Sequence, residues 1–283
     1  MRDDAAMPDP ILITGCSTGI GRATAQRLAK GGHTVYATAR KLEALTGLEG
    51  CRTLALDVTD EDSMRAAVEQ IVEEHGAVGA LINNAGYSQS GAIETVELDA
   101  VRRQFETNVF GLMRMSQLVL PSMRERGAGR IVNISSMGAN FVFPGGGIYH
   151  ATKYAVNAIS DALRFEVKGF GVDVVIIEPG LIVTEFADAA NASLSEHATG
   201  GPYDRFNAHV GRLTAGAYDS PMVKVVGGGP DRVAKAIEKA LTARRPRLRY
   251  RVTPSAQLGV PLVGLLPDRV FDAVLTRSYP RPR

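Results

Sequence analysis

The fold is decided by the segment Ile11-Leu12-Ile13-Thr14-Gly15-Cys16-Ser17-Thr18-Gly19-Ile20-Gly21. Its three opening aliphatic residues predict a strand that is buried on both faces. Its three glycines allow a tight turn and let the backbone approach a ligand closely. Residues 22–30 follow with a helical pattern, so the segment joins a strand to a helix through a glycine-rich turn.

A turn of this kind is suited to binding a pyrophosphate. Free N–H groups at the start of the helix and the positive end of its dipole both face an anion placed there. The glycine spacing differs from the standard Gly-x-Gly-x-x-Gly dinucleotide pattern, and a glycine loop can also serve only to pack a helix on a strand. The residues expected to contact a dinucleotide here are Gly15, Ser17, Thr18, Gly19, Ile20 and Gly21.

A second motif lies in the middle of the chain, where Tyr149 and Lys153 are four residues apart and so share one face of a helix. They follow the aliphatic segment 130–135, which ends next to Ser136. A free phenol has a pKa of ~10, and one nearby cation lowers a pKa by about 1–3 units. Lys153 and the positive nicotinamide of an oxidised cofactor would together let Tyr149 exchange a proton near neutral pH. By itself, the spacing is also compatible with a solvated helix face.

The order of the predicted elements indicates an α/β fold. Helical patterns fall between most of the strand candidates, and such alternation is typical of a parallel sheet covered by helices on both faces. We expect a Rossmann-type, doubly wound sheet of seven strands in a single domain over residues 1–283. Thr14, Asn83, Ser136 and Pro179 all follow predicted strands, so they should meet at one edge of the sheet. The strand candidates are 11–14, 34–39, 53–57, 80–83, 130–135, 172–178 and 248–252.

Together these motifs resemble the short-chain dehydrogenase/reductase family. That family has an early Thr-Gly-x-x-x-Gly-x-Gly, then Asn-Asn-Ala-Gly, a serine and Tyr-x-x-x-Lys. Here they correspond to Thr14–Gly21, Asn83–Gly86, Ser136, Tyr149 and Lys153, in that order. Ser136 lies 13 residues before Tyr149, which is the family's usual interval and matches better than Ser135.

The resemblance implies a role for each matched residue. Tyr149 would be the general acid when a carbonyl is reduced and the general base when an alcohol is oxidised. Ser136 would stabilise charge on the substrate oxygen, and Lys153 would lower the pKa of Tyr149 and hold the nicotinamide ribose. Asn108 would hold a water in a proton relay, although a helical asparagine bonded to backbone is the alternative. The further cofactor contacts implied are Asp57, Val58, Asn84, Ala85, Gly86, Tyr149, Lys153, Pro179, Gly180 and Thr184.

The end of the second strand candidate favours NADP(H) over NAD(H). Folds that prefer NAD place an acidic residue there to bind the ribose 2′-hydroxyl, whereas a nearby arginine accommodates a 2′-phosphate. This chain has Ala39 and then Arg40. A guanidinium can pair with a phosphate; alternatively, Arg40 is a surface cation and the site accepts either cofactor.

Composition excludes several classes of protein. The chain has 283 residues, 45% hydrophobic and 22% charged, with a formal net charge of +2, which is ordinary for a globular protein and gives no reason to expect nucleic-acid binding. No apolar run reaches the ~18 residues of a membrane span, and the N-terminus lacks a signal-peptide pattern, so we expect a cytoplasmic protein. Cys16 and Cys51 are interpreted as reduced packing residues, and the histidines show no metal-ligand spacing, so no metal is expected.

The second half of the chain should determine the substrate. Residues 184–229 are expected to cap it, and 244–283 form a C-terminal extension. Local sequence is similar to the hydroxysteroid and retinol dehydrogenase branch, which implies a bulky apolar alcohol or ketone. An NAD-dependent acyl-thioester reductase and a non-catalytic dinucleotide sensor are the alternatives. The candidates for lining the substrate are Met137, Phe141, Phe143, Phe186 and Phe206, with His197 and His209 at a polar end.

The C-terminal extension carries two unusual segments. Residues 244–251 contain five arginines and predict an edge strand with its charged side in solvent; an anionic membrane or nucleic-acid patch is the alternative. Residues 258–275 are rich in leucine and valine and are expected to pack against the domain or a partner subunit. The resemblance implies a homo-oligomer, either a dimer or a tetramer.

Overall fold

A parallel sheet of seven strands organises the chain. The computed structural model describes residues 9–195, 201–220 and 223–279. The strands lie in the order β3-β2-β1-β4-β5-β6-β7, and every neighbouring pair is parallel. The predicted fold class and all seven strand candidates are confirmed, with ends shifted by one or two residues. The strands are β1 Ile11–Ile13, β2 Val35–Ala39, β3 Arg52–Ala55, β4 Ala80–Asn83, β5 Gly129–Ile134, β6 Val172–Pro179 and β7 Arg249–Val252.

Helices cover both faces of this sheet. In the described ranges they are α1 Gly19–Lys30, α2 Glu61–His75, α3 Leu98–Phe105, α4 Leu112–Arg126, α5 Gly147–Glu166, α6 Phe186–Ser195, α7 Asp204–Asp219, α8 Val223–Val226, α9 Pro230–Thr242, α10 Pro254–Gly264 and α11 Asp268–Ser278. A π-helix, Glu106–Gly111, joins α3 to α4, and a short 3-10 helix, Met137–Ala139, precedes α5.

Strand alternation divides the core between the two faces. On β1, Ile11 and Ile13 pack in the cluster that contains Leu28 of α1 and helix α9. Leu12, between them, packs in the other cluster with α2 and α4. Burying an aliphatic side chain of this size stabilises the fold by ~1.5–3 kcal/mol. The first strand is therefore held from both sides, and its carboxyl end is a rigid place from which to start the glycine turn.

The predicted start of α2 is corrected by the structure. In the sequence, Thr59 followed three residues later by Asp62 predicts a capping box. In the structure Asp60 is the N-cap, and its carboxylate accepts from the backbone N–H groups of Asp62 and Ser63 at 3.0 and 3.2 Å. Thr59 instead donates to the carboxylate of Asp57. The carboxylate of Asp60 reaches two of the free N–H groups, which is why it replaces the threonine hydroxyl.

The arginine-rich segment is an edge strand, as predicted, but its charge does not all face solvent. Arg249 and Arg251 on β7 have side chains only 31% and 36% exposed, and both pair with the fully buried carboxylate of Glu178 on β6. A buried carboxylate requires such partners, so it draws the two guanidinium groups onto the sheet. The remaining arginines, Arg244, Arg245 and Arg247, are exposed.

The C-terminal helices pack on the sheet domain along one side only. Ala256 and Val260 of α10 are buried, and Phe271 of α11 makes an edge contact with Phe141. The expected packing of residues 258–275 against the domain is thus partial, because Leu258 and Leu265 stay 71% and 83% exposed. None of the helices in the described ranges is long and apolar enough to span a bilayer.

Candidate active site

A deep cleft runs along the carboxyl ends of the strands. Its volume is about 1140 Å³, which is ample for a dinucleotide and a second ligand. The glycine turn after β1 and the loop after β4 line one end, and Ser136, Tyr149 and the cap helices α6 and α7 line the other. The predicted convergence of loops from separate strands at one sheet edge is therefore observed.

The glycine turn is fastened to the loop after β4. The Thr14 hydroxyl accepts from the backbone N–H groups of Asn84 and Ala85, each at 3.0 Å, and the Asn84 amide donates to the carbonyls of Thr14 and Gly15. Gly15 has a φ of +73°, and a Cβ there would come within 2.8 Å of Ala85 Cα. Only glycine permits this approach, so the two loops form one preorganised wall of the cleft.

Gly21 has a packing role and does not line the cleft. A Cβ at this position would lie 2.2 Å from the Gly15 carbonyl and 2.5 Å from the Asn84 amide. The residue thus brings α1 close to the sheet, which is the role of the third glycine in dinucleotide folds. The other five residues predicted in this segment, Gly15, Ser17, Thr18, Gly19 and Ile20, do line the cleft.

The adenosine end of the cleft carries a free cation. Arg40 lies on it and makes no hydrogen bond or ion pair within the described part of the chain, whereas Arg22 is held by the carbonyls of Ser17, Ala44 and Thr46. Asp57 and Val58 also line this end, and the Asp57 carboxylate accepts from the backbone N–H and the hydroxyl of Thr59 at the turn into α2. Arg103 of α3, which sequence reasoning missed, lines the same end.

Ser136 and Tyr149 lie where the end lined by the cap helices adjoins the rest of the cleft. Ser136 caps the 3-10 helix by accepting from Gly138 N at 3.0 Å, and its side chain lies beside that of Tyr149. Burial raises the pKa of Tyr149 well above its ordinary value, and the neighbouring Ser136 hydroxyl opposes this rise. The direction is opposite to the acidification expected from Lys153, because removing the phenolate from water outweighs its neighbours.

Lys153 reaches under the tyrosine ring from one turn further along α5. Its ammonium donates to the Ile134 carbonyl at 2.8 Å and lies 5.7 Å from the centroid of the Tyr149 ring. Burial lowers the pKa of Lys153 to about 8, because a buried ammonium has lost its hydration. Tyr149 and Lys153 therefore do share one helix face, and that face lines the cleft and not solvent.

Asn108 lies behind the cleft wall. It is buried in the π-helix, where its amide donates to the Tyr87 carbonyl at 2.9 Å and to the Thr152 hydroxyl at 3.1 Å, and its oxygen accepts from Tyr87 N. A Cβ on Gly86 would meet both the Asn108 oxygen and the Lys153 ammonium. The alternative of a backbone-bonded asparagine thus holds, although the residue is close to Lys153. Single turns of π-helix often mark functional sites.

The substrate end is mostly apolar. Met137, Phe143 and Phe186 line it as predicted, and the Phe186 ring packs edge-on against Tyr149 with centroids 5.3 Å apart. Four of the predicted lining residues are corrected or lie outside the described residues. Phe141 and Phe206 are core residues, His209 bonds to the Ser278 carbonyl and does not line the cleft, and His197 lies outside the described residues. The lining residues that sequence reasoning missed are Val210, Leu213, Ala217, Tyr218 and Tyr279.

His150, which directly follows Tyr149, fixes the shape of this end. Its Nδ1 lies 2.8 Å from the Gly138 carbonyl, and its Nε2 lies 3.2 Å from Phe143 N. Since Phe143 N donates, Nε2 must be an acceptor and Nδ1 carries the proton, so the ring is neutral. Burial lowers the pKa of His150, which agrees with that state. His150 therefore joins the serine loop to the wall formed by 143–146.

These features define a class of protein. A phenol beside a serine hydroxyl, between a phosphate-binding glycine turn and an apolar pocket, is arranged for proton exchange beside a nicotinamide dinucleotide. The cradle fits this cofactor, since the turn residues line the cleft and the first N–H groups of α1, which has no side-chain cap, are free to bind a pyrophosphate. In the described ranges, no group of three or more acidic, histidine or cysteine side chains is arranged to hold a metal.

Comparison with known proteins identifies the family. The short chain dehydrogenase family matches residues 9–195, and the chain belongs to it; it is an NAD(P)-dependent oxidoreductase. It is 38% identical to a 3-ketodihydrosphingosine reductase of Bacteroides thetaiotaomicron, with 96% of this chain and 98% of that protein covered. It is 33% identical to an NADPH-dependent 3-dehydrocapnine reductase of Ornithobacterium rhinotracheale, covering 94% and 96%. A serine dehydrogenase structure complexed with NADP+ is 27% identical, with a TM-score of 0.74 and 88% and 96% covered.

Proposed function

We propose that this enzyme interconverts a ketone and a secondary alcohol on a long-chain, lipid-like substrate, using NADP(H). The observation that carries the proposal is the position of Tyr149. Its side chain lies beside that of Ser136 in the cleft, its ring packs on Phe186 in the apolar pocket, and the Lys153 ammonium lies 5.7 Å from the ring centroid. A carbonyl that enters from the apolar pocket would meet two hydroxyl groups at its oxygen.

In the direction of reduction, Ser136 and Tyr149 bind the carbonyl oxygen of the substrate. Bound NADPH would supply the hydride that the carbonyl carbon accepts. Tyr149 gives its proton to the carbonyl oxygen and is reprotonated from solvent, so one ketone, one NADPH and one proton would give one alcohol and one NADP+. Because burial raises the pKa of Tyr149, its phenol holds a proton at neutral pH, which is the state that reduction requires.

Lys153 and Asn108 support these steps. Lys153 would bind the hydroxyl groups of the nicotinamide ribose and place a positive charge near the phenolate that remains after proton transfer. Asn108 fixes the segment that contains Gly86 and Tyr87, and we propose that it holds this wall of the cofactor site. Pro179, Gly180 and Thr184 line the cleft and would lie along the nicotinamide.

The cofactor is NADP(H). The sequence-based expectation from Ala39 and Arg40 agrees with the relatives, one of which is described as NADPH-dependent, while the serine dehydrogenase structure holds NADP+. Arg40 is a guanidinium without an internal partner on the adenosine end of the cleft, so it can pair with the 2′-phosphate. Arg103 adds a second positive charge at the same end.

The substrate class follows from the pocket and from the relatives. Aliphatic and aromatic side chains of α6, α7 and the C-terminal tail form its walls, and they suit a hydrocarbon chain. One relative is named for a keto derivative of dihydrosphingosine and covers nearly the whole chain, so a 3-keto sphingoid base is the substrate we favour over a steroid or a retinoid.

A substrate screen tests the proposal. Purified enzyme would be mixed with NADPH and, separately, with 3-ketodihydrosphingosine, a steroid ketone, retinaldehyde and a short aliphatic ketone, while NADPH absorbance is followed. We expect kcat/KM for the long-chain keto base to exceed that for the short ketone by more than about tenfold, as several buried methylene groups allow. Faster turnover of the steroid or the short ketone would contradict the substrate class, and no oxidation of NADPH with any ketone would contradict the activity.

A further inference from the structure

The carboxylate of Glu178 is a buried junction that the proposed chemistry does not use. Its side chain is 0% exposed. One oxygen accepts from the Asn140 amide at 3.2 Å, the Asn157 amide at 3.0 Å and Arg249 at 3.0 Å, and the other accepts from Arg251 at 3.3 Å. A carboxylate without such donors is unstable at this depth, so the four partners are held together by the charge they surround.

Both asparagine partners, and Glu178 itself, belong to elements that carry part of the active site. Asn140 ends the 3-10 helix that Ser136 begins. Asn157 lies on α5 four residues beyond Lys153, and therefore on the same helix face. Glu178 itself directly precedes Pro179 and Gly180 at the end of β6. One carboxylate thus connects the serine loop, the helix of Tyr149 and Lys153, and the segment proposed to lie along the nicotinamide.

The two arginines connect this junction to the C-terminal region. Arg249 also pairs with Asp161, a further turn along α5. Two residues after Arg251, Thr253 has a φ of +86° and a ψ of 150°, a strained conformation for any residue except glycine. Its hydroxyl and that of Ser255 lie against Gly180, where an added Cβ would come within 2.4 Å of both, and Ser255 accepts from Leu181 N.

Thr253 stays in its strained conformation because both of its neighbouring elements are held in place. Before it, β7 is bound to Glu178, and after it, the start of α10 packs against Gly180. The buried charge of Glu178 and the strained backbone of Thr253 both reduce the stability of the fold. An uncharged contact with an unstrained backbone would be sufficient to hold β7 on the edge of the sheet. The elements that this arrangement fixes are those whose relative placement decides the reaction. Misplacement of reacting groups by about 1 Å can slow an enzyme by ~100-fold.

We propose that Glu178, with Arg249 and Arg251, is a positioning residue that sets the distances between Ser136, the Tyr149–Lys153 face of α5 and the Pro179–Gly180 segment. Through it, the C-terminal residues 249–256 become part of the catalytic framework. This inference rests on the proposed dehydrogenase chemistry for its effect on turnover. Its structural consequence, the ordering of these three segments, is independent of the substrate.

The test compares Glu178→Gln with Asp173→Asn. Both changes remove the charge of a carboxylate on β6 that pairs with an arginine, but Asp173 bonds to Arg130 near the opposite end of the strand, away from the cleft. Amide hydrogen exchange, the thermal midpoint, NADPH affinity, kcat and KM would be measured for both variants and wild type. We expect exchange in residues 136–143 and 179–186 to accelerate by about tenfold or more in Glu178→Gln alone, because local opening is easier there.

Turnover gives the second readout. We expect kcat of Glu178→Gln to fall by about 10–100-fold at a temperature where it is fully folded, with NADPH affinity changing much less. Asp173→Asn should lower the thermal midpoint without this fall in kcat. Unchanged exchange in both segments, or equal losses of kcat in the two variants, would overturn the proposal. If wild type itself reduces no ketone, the proposed function fails while the exchange comparison still decides the positioning role.

Asn140→Ala provides an independent variant in case Glu178→Gln does not fold. It leaves both salt bridges intact and removes the connection to the serine loop, together with the longer bond from the Asn140 amide to the Met137 carbonyl at 3.4 Å. We expect faster exchange in 136–143, unchanged exchange in 179–186, and a lower kcat. A kcat equal to that of wild type, with unchanged exchange in 136–143, would show that Glu178 does not act on Ser136.

Discussion

At the scale of single residues, Lys153 is buried beside the half-buried Tyr149, and the pKa values of the two groups shift in opposite directions. Burial raises the pKa of the phenol and lowers that of the ammonium to about 8. The first keeps a proton on Tyr149 for delivery to a carbonyl. The second means that Lys153 is a cation only below about pH 8, so its support for a phenolate should weaken in alkaline solution.

The depressed pKa of Lys153 leads to a prediction about how stability depends on pH. The folded-state pKa of Lys153 is depressed to about 8, while an unfolded lysine titrates near ~10.4. Between these values the unfolded state binds more protons, so the free energy of unfolding should rise with pH, by at most about 1.4 kcal/mol per unit from this residue. Denaturant unfolding near pH 8 and near pH 10 should show a smaller rise for Lys153→Met than for wild type. Equal rises would contradict burial of the ammonium.

The position of Arg40 on the cleft leads to a prediction about cofactor choice. Replacing it with alanine removes a charge-assisted contact to the 2′-phosphate worth about 1.5–3 kcal/mol. We expect kcat/KM with NADPH to fall by more than about tenfold and that with NADH to stay nearly constant. Lys41→Ala is the control, since Lys41 is also exposed but does not line the cleft. An equal loss of kcat/KM with NADPH and NADH would show that Arg40 does not bind the 2′-phosphate.

Sequence motifs predicted those cleft residues whose positions are set by nearby backbone structure. Ser136, Tyr149 and Lys153 were found because a strand end and one helix face bring them together. Tyr218 and Tyr279 were missed because they reach the cleft only through the packing of α7 and the tail, which no short pattern encodes. His150 had one available signal, its position beside Tyr149, but its two hydrogen-bond partners depend on the folding of the loop at 138–143.

At the scale of elements, the start of α2 offers a clear test. Asp60, and not Thr59, caps the helix, so Asp60→Ala should lower the free energy of unfolding by ~1 kcal/mol and leave kcat unchanged. Thr59→Ala, measured by the same denaturant titration, is the control and should cost less. A larger loss for Thr59→Ala would favour the capping box predicted from sequence.

Strands were easier to predict than the ends of helices or the orientation of charges. Buried aliphatic runs such as Ile11–Ile13 have few alternatives in a parallel sheet. The arginines of β7 show that a sequence pattern can predict a strand without predicting which way its charged side chains point. Their alternation with apolar residues predicted an edge strand correctly, but the charged side turned inward because Glu178, about seventy residues earlier, is buried next to it.

At the scale of the whole molecule, aromatic side chains remain exposed along α5 and beside the start of α4. Phe165 and Tyr154 on α5 are 71% and 43% exposed, and Phe110 on the π-helix is 46% exposed. A surface of this kind typically marks an interface, and the family resemblance implies a dimer or tetramer. We propose that a second copy of the chain covers it.

Light scattering tests this assembly. We expect wild type to have the mass of a dimer or tetramer and Phe165→Glu to shift toward the monomer, because a charge buried in an apolar interface is costly. Leu248→Glu, a similar change at an exposed position just before β7, should leave the mass unchanged. A monomeric wild-type protein would contradict the proposal.

The central claim is that Tyr149 exchanges a proton with a carbonyl compound beside bound NADP(H), and Tyr149→Phe tests it most directly. The variant keeps the ring that packs on Phe186 and loses only the hydroxyl; Tyr154→Phe, on the same helix, is the control. We expect ketone reduction by Tyr149→Phe to fall by about 10²–10⁴-fold with NADPH affinity unchanged, and the control to retain wild-type rates. Turnover of Tyr149→Phe within about tenfold of wild type would contradict the account.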